Sequence, residues 1–429
     1  MSTEFLLMLG MVVTAAIIGV PIGIALIAGS VAYLWMRGLP LTMVTDAIMQ
    51  GFSSNFVFLA IPLFIFAARV MNAGTITDRM LNFAMGAVGH ARGGLAQVNV
   101  LTSLIFSGMS GSATADAAGV GSVLVRMMRE KDRYPAGFAG AITAASSVIG
   151  PIFPPSIPMI FYAISANASV GGLFLGGVVP ALLIALALMA MNYWLAVRRG
   201  FPTEKRVPPR ELLGLFRAAI LPLLTPVILL AGIYTGAMTP TEAAAAAAFY
   251  ATVISVLVYR TMGFAGFRDV LVESAQKSAV VVLIIAGAFL FSSVIAIERL
   301  PNALAAWVDS WDMAPLAFFL LINVVFLVLG MLLPAATILL VIVPVVVPAA
   351  LALGIDPIHF GVVIVINTMI GLITPPYGVL IFVVSAVNRI DAWAIIREIV
   401  PFIAVLVASL LLLVLVPDLV MFLPHQFGY

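Results

Sequence analysis

Two stretches of this chain set oxygen-bearing side chains beside a helix-breaking run. Residues 140–155 read GAITAASSVIGPIFPP, and residues 361–376 read GVVIVINTMIGLITPP. With an offset of 221, Gly140 falls on Gly361, Ile149-Gly150 on Ile370-Gly371, Pro154-Pro155 on Pro375-Pro376, and Ser146-Ser147 on Asn367-Thr368. Proline lacks an amide donor and its ring clashes with the preceding turn, so each run ends one helix and starts another. The first half-helix then presents unpaired carbonyls and the second unpaired amides. Carbonyl and hydroxyl oxygens suit a small cation, while amide ends attract an anion. Ion and carboxylate binding are therefore the chemistry on offer. Bond-making chemistry is poorly supplied: Cys is absent, and His90, His359 and His425 lie far apart with no metal-ligand spacing.

Upstream of each break is a second interruption. Gly108-Met109 falls on Gly330-Met331, one residue out of step, near the middle of apolar stretches at 94–125 and 315–352. Each stretch is too long for one span of about 20 residues, and both read as re-entrant hairpins. The first tip, Ser107 to Asp116, reads SGMSGSATAD. Its small residues let a turn expose backbone groups at membrane depth, and the tip is expected to face Ser146, Ser147 and Pro154-Pro155. Tight helix packing would use the same residue types. The second tip, Gly330 to Thr337 (GMLLPAAT), is less polar, with Pro334 making the turn. Asp116 is the one acid placed inside the membrane-embedded region. It serves either an ion path or the N-terminus of the returning arm, which an acid complements. Glu242 reads more simply, because Thr239-Pro240-Thr241-Glu242 is a capping box with proline at the first helical position. No Lys or Arg is placed at membrane depth, so an anionic substrate would be held by helix ends, hydroxyls and bound cations.

The elements that must position these groups are transmembrane helices. Of 429 residues, 63% are hydrophobic and 9% charged, with a mean hydropathy of +1.22; a soluble domain carries about 25% charged residues. The net charge of +2 does not point to nucleic acid. Met1 to Leu6 lacks the basic region and cleavage site of a signal peptide, so the first apolar run reads as a retained span. Spans are expected at 5–20, 21–37, 53–72, 134–168, 170–197, 216–236, 240–260, 278–297, 358–388 and 400–422. Gly266 to Lys277 and Arg206 to Arg217 read as helices along the membrane surface, the second equally as a plain connector. Basic residues gather at 69–92, 126–133, 198–217, 260–277 and 389–397, leaving only Arg37 and Arg299 elsewhere. Ten spans and two hairpins put all five clusters on one side, which the positive-inside rule makes cytoplasmic. Glu4, Asp46, Glu242, Glu298, Asp309, Asp312, Asp356 and Asp418 mark the other side, and both termini fall there. The two hairpins then enter from opposite faces. The reading is an all-α polytopic membrane protein with an inverted repeat, residues 1–197 and 198–429, each holding a hairpin and a broken helix (134–168 and 358–388). Inverted repeats with broken helices at the midplane characterise many secondary transporters.

The SGSATAD tip, the GPIFPPSIPM break, the TPTEAAA helix start and the NTMIGLITPPYGVLIFV segment together resemble the large membrane subunit of tripartite ATP-independent periplasmic (TRAP) transporters, over essentially the whole chain. That resemblance implies an elevator-type secondary transporter of the bacterial inner membrane, with a scaffold and a mobile transport domain. It implies a separate small four-helix membrane subunit, a periplasmic substrate-binding protein, sodium as the coupling ion with no other cofactor, and organic acids such as dicarboxylates or sialic acid as substrates. Carried over by position, one sodium set comprises Ser110, Gly111, Ser112, Thr114, Ser146, Ser147 and Gly150. The other comprises Gly330, Thr337, Asn367, Thr368, Gly371 and Thr374. The substrate is expected near Ser112, Pro155, Ser156, Pro376, Tyr377 and Gly378. A stand-alone ion-coupled carboxylate symporter would use the same sites without the partners. A membrane-embedded enzyme would need a nucleophile or metal constellation that the three scattered histidines do not supply.

Overall fold

Helix boundaries follow the punctuation of the sequence. Ser2, Ser112, Ser156, Ser169, Thr239, Asp356 and Asp391 each close a helix start by accepting a backbone N–H, as short polar N-caps do. Gly111 and Gly200 end helices in the left-handed conformation. The computed structural model describes residues 2–72 and 76–429, and no strand occurs among them. The first half builds α1 (Thr3–Ile17), α2 (Ile22–Met36), α3 (Thr42–Ser54), α4 (Ala60–Asn72), α5 (Ile76–Val88), α6 (Gly94–Ser110), α7 (Ala113–Ala118), α8 (Val120–Arg129), α9 (Ala136–Ser147), α10 (Ile157–Ala166) and α11 (Val170–Arg199). The second half builds α12 (Pro209–Tyr234), α13 (Pro240–Val253), α14 (Phe264–Ile297), α15 (Leu300–Ser310), α16 (Pro315–Leu332) and α17 (Ala335–Val341). It continues through α18 (Val343–Ala352), α19 (Pro357–Gly371), α20 (Val379–Asn388), α21 (Ala392–Leu415) and α22 (Asp418–Gln426).

The order of elements repeats. Thr42 and Phe264, which open α3 and α14, are 222 positions apart; Ala136 and Pro357, opening α9 and α19, are 221 apart; Val170 and Ala392, opening α11 and α21, are 222 apart. Among the described residues six helices are long and apolar enough to cross a membrane: α11, α12, α13 with the π-helical turn after it, α14, α16 and α21. α3 with α4, bent by 76°, and α17 with α18, bent by 54°, reach that length only as pairs.

Contacts sort the helices into two groups. In one, α2 packs on α1 and α14, and α13 on α4 and α12. Here Gly23 and Gly287 bring α2 and α14 into backbone contact, since a Cβ on Gly287 would stand 2.8 Å from the Gly23 carbonyl oxygen. Lipid tails remove the hydrophobic drive between helices, so close packing of small residues carries association. In the other group α9 and α19 are buried on every face, with α21 against α9, α16 against α19, and α11 beside both. A helix with no polar face belongs in an interior. Gly361 admits the Tyr162 ring at the centre of this core, and the Tyr162 hydroxyl donates to the Pro357 carbonyl at 2.8 Å. α5 joins the groups through α12 and α6, and α15 through α18.

Both helix breaks are present, and a turn stands at each expected tip. α6 turns at Gly111-Ser112 into α7 and α8, and α16 turns at Leu333-Pro334 into α17 and α18. α9 is separated from α10, and α19 from α20, by non-helical residues that include Pro154-Pro155 and Pro375-Pro376. The capping box at Thr239 and Glu242 forms as read.

Several boundaries differ from expectation. Residues 266–277 are not a separate surface helix: α14 runs unbroken for 34 residues, because no proline or glycine separates Lys277 from the apolar run behind it. Residues 209–217 likewise continue into α12. The last span occupies 392–415 rather than 400–422, since Pro417 cannot continue α21. The helices α3, α5 and α15 fall in segments between the expected spans.

Candidate ion and substrate site

The polar side chains of the first break come from three helices that meet behind the first hairpin tip. On α9, Thr143, Ser146 and Ser147 lie within one turn and a half. On α6, Asn99 and Ser103 are one turn apart and face them. The Asn99 amide donates to Thr143 Oγ1 at 2.7 Å, Ser146 Oγ donates to Asn99 Oδ1 at 3.0 Å, and Ser103 Oγ lies 3.0 Å from Ser146 Oγ. Ser147 Oγ donates to the Thr143 carbonyl at 2.8 Å. Asp116, on α7, is 4% exposed and its carboxyl neighbours the Ser103 and Ser147 hydroxyls, with Oδ2 unpartnered. The cap of α7 is Ser112, so Asp116 sits in the first turn without serving as the N-cap.

The tip closes on the break through glycine. A Cβ on Gly111, whose φ is +56°, would meet the Pro155 carbonyl at 2.7 Å, and one on Gly150 would face the Ser112–Ala113 backbone at 3.6–3.7 Å. Ser112 Oγ and Thr114 Oγ1 are 3.2 Å apart on the accessible side of the tip. Ser110 Oγ is buried with no partner.

The second break repeats this plan with different side chains. Asn367 on α19 donates to the Asn323 carbonyl at 2.6 Å and to Asn323 Oδ1 at 2.7 Å, leaving its own Oδ1 buried and unpartnered. Thr337 Oγ1, on α17, is also buried and unpartnered. Gly330 and Gly371 touch backbone to backbone. Thr368 and Thr374 spend their hydroxyls on the carbonyls of Ile364 and Ile370, at 2.8 and 2.7 Å. Buried polar atoms are nearly always hydrogen-bonded, yet oxygens of Ser110, Asp116, Thr337 and Asn367 are buried without a partner, and oxygen atoms are the ligands a hard cation takes.

The halves are also laced crosswise. α10, which follows the first break, packs on α17 of the second hairpin, and α20, which follows the second break, packs on α7 of the first. Both tips and both breaks therefore belong to one region. Of the residues expected near a substrate, Pro376 and Tyr377 are exposed and Ser112 is partly so. Pro155, Ser156 and Gly378 are buried; Ser156 Oγ caps α10 and donates to the Pro151 carbonyl. Asn99, Ser103, Thr143 and Asn323 were not singled out from the sequence. Their signal was present as polar residues inside apolar runs, at helical spacing.

The fold has a solved counterpart in the YdaH transporter of Alcanivorax borkumensis, with a TM-score of 0.66, 15% identity, and coverage of 88% of this chain and 89% of that one. Among curated proteins, the chain is 42% identical to the sialic acid TRAP transporter large permease protein SiaM of Vibrio cholerae, over 96% of each chain. It is 40% identical to the C4-dicarboxylate TRAP transporter large permease protein DctM of Pseudomonas aeruginosa, over 88% of each. The model of the tripartite ATP-independent periplasmic transporter DctM component matches residues 8–419. With the paired hairpins and broken helices inside that span, the chain belongs to the DctM family, the large permeases of TRAP transporters.

Proposed function

We propose that this permease imports an organic acid anion with sodium, through two inverted repeats that form a scaffold and an elevator-like transport domain. The observation that carries this reading is the pairing of each hairpin tip with a broken helix, beside buried oxygens that lack partners. Residues 1–197 and 198–429 are the two repeats. The first hairpin is based among Arg92, Arg126 and Arg129 and the second among Asp309, Asp312 and Asp356, so the two enter from opposite faces. The arginine-rich face is cytoplasmic, which puts both termini in the periplasm and the chain in the bacterial inner membrane.

One cation binds among Ser110, Gly111, Ser112, Thr114, Ser146, Ser147 and Gly150. Asp116 belongs with this set: no basic side chain among the described residues pairs with it, and a buried carboxylate is costly without a counter-charge. A second cation binds among Gly330, Thr337, Asn367, Thr368, Gly371 and Thr374, which is a neutral set. Both cations offset the charge of a carboxylate substrate lying between Ser112, Pro155, Ser156, Pro376, Tyr377 and Gly378, where the amide ends of α10 and α20 face it. The relatives' names include sialic acid and C4-dicarboxylates, so the substrate class is an organic acid. The partners are a small four-helix membrane subunit and a periplasmic binding protein that delivers the substrate.

The test is uptake of labelled organic acids into proteoliposomes under an inward sodium gradient, with and without those partners. Uptake that needs all components supports the tripartite reading. Sodium-driven uptake by the large permease alone favours a stand-alone carboxylate symporter. Uptake indifferent to sodium overturns the ion assignment.

A further inference from the structure

An apolar cavity of about 410 Å³ opens where α13 gives way to α14, away from the tips and breaks. Its walls include Val256, Leu257, Met262, Phe264 and Phe267. The helix end beside it is irregular. α2, the counterpart of α13, is α-helical to its end, whereas α13 passes into a π-helical turn at Ile254–Val258. Arg260 follows in the left-handed conformation, φ +51°. The extra residue per turn and the reversed φ swing the chain outward before α14 begins, leaving a gap between the two helices. π-Turns are rare and concentrate at functional sites.

Guanidiniums stand near this gap without lining it. The Arg79 guanidinium, on α5, lies 4.3 Å above the ring of Tyr259, the residue that closes the π-turn. Arg260 is next in the chain, and Arg268 follows Phe267. Among the described residues no carboxylate lies within ion-pair distance of Arg79 or Arg260, while the nearby acids Glu273 and Asp269 are taken by Arg69 at 2.9 Å and Arg268 at 3.3 Å. Two guanidiniums with no carboxylate partner, near a cavity with apolar walls, match one kind of occupant, an acyl chain carrying an anionic headgroup. We propose that this cleft binds an anionic phospholipid, its phosphate on Arg79 and Arg260 and one acyl chain between α13 and α14. Guanidinium holds phosphate bidentately, and basic pockets between transmembrane helices collect such headgroups.

The experiment uses the full-length permease, delipidated in detergent. Retained lipid and melting temperature are measured after adding phosphatidylglycerol, phosphatidylcholine or inorganic phosphate. Phosphatidylglycerol alone should be retained and raise the melting temperature. The double variant Arg79→Gln, Arg260→Gln should bind it about 30-fold more weakly, as expected for two surface cations. Gly263→Leu, where an added Cβ meets nothing within 4 Å, should fill the cavity and release lipid with the arginines intact. Equal retention of phosphatidylcholine overturns the proposal, as does a full shift from phosphate alone, or phosphatidylglycerol binding unchanged in both variants. The comparison among ligands on the unaltered protein stands even if a variant fails to fold. Because lipid retention is read without transport, this result is independent of the sodium assignment.

Discussion

Gly330 of α16 and Gly371 at the end of α19 meet with no side chain between them: a Cβ on Gly371 would stand 2.6 Å from the Gly330 Cα. This contact seats the second hairpin on the second break. Backbone cannot move aside as a flexible side chain can, so Gly371→Ala must part the two helices. Overpacking of this kind costs about 1–3 kcal/mol. The variant should reach the membrane yet lose most uptake, whereas Gly214→Ala, with open space around it, should transport normally. Uptake normalised to reconstituted protein checks both.

Asn367 supplies one unpartnered oxygen and two short hydrogen bonds to Asn323. Asn367→Ala removes a ligand of the proposed cation and strands Asn323, a loss of about 1–3 kcal/mol. The sodium concentration for half-maximal uptake should rise about tenfold or more, with membrane insertion preserved. Ser146→Ala should act in the same direction and less strongly, because Asn99 keeps its bond to Thr143. Wild-type sodium dependence in both variants would remove these residues from the site.

Asp116→Asn preserves shape and removes the carboxylate of the proposed first site. If the charge binds a cation, sodium affinity falls while substrate affinity at saturating sodium stays near wild type. Equilibrium binding of labelled substrate across a sodium titration separates the two quantities. An unchanged sodium curve would return Asp116 to a purely structural role at the start of α7.

Glu298 offers a pH-dependent contact far from the ion sites. Its carboxylate accepts from the Ser2 backbone N–H at 2.9 Å, Ser2 Oγ at 2.5 Å and Tyr33 Oη at 2.7 Å, with Arg37 at 3.9 Å. Burial alone would raise its pKa, but the Ser2 and Tyr33 hydrogen bonds and the Arg37 charge outweigh it and hold the carboxyl at about 2. The folded value lies below the ordinary 4.5, so this stability is complete above about pH 5 and is lost as pH falls toward 2. Melting temperature should decline over that window, and Glu298→Gln should flatten this part of the decline while lowering stability at pH 7 by about 1–2 kcal/mol.

The broken helices were legible in the sequence because their cause is local. Pro154-Pro155 and Pro375-Pro376 remove amides wherever they stand, and the turn at Gly111-Ser112 needs only a residue that tolerates positive φ. The polar network behind the tips was less legible. Asn99 and Ser103 look like minor interruptions of an apolar run until α9 is placed against them. The long α14 was misread for a related reason: charges in 266–277 suggested a surface helix, and nothing local tells a helix lying on a membrane from one rising out of it.

What the sequence by itself determined is the class of molecule, the positions of both breaks and both turns, and the family. These depend on hydropathy over about 20 residues, on proline and glycine, and on motifs read in order. Only the tertiary structure decided that α10 packs on α17 and α20 on α7, that Asp116 is sealed beside Ser103 and Ser147, and that Ser2 reaches Glu298 across 296 positions. Such contacts join residues with no local preference for each other, and they form only when helices already made are docked.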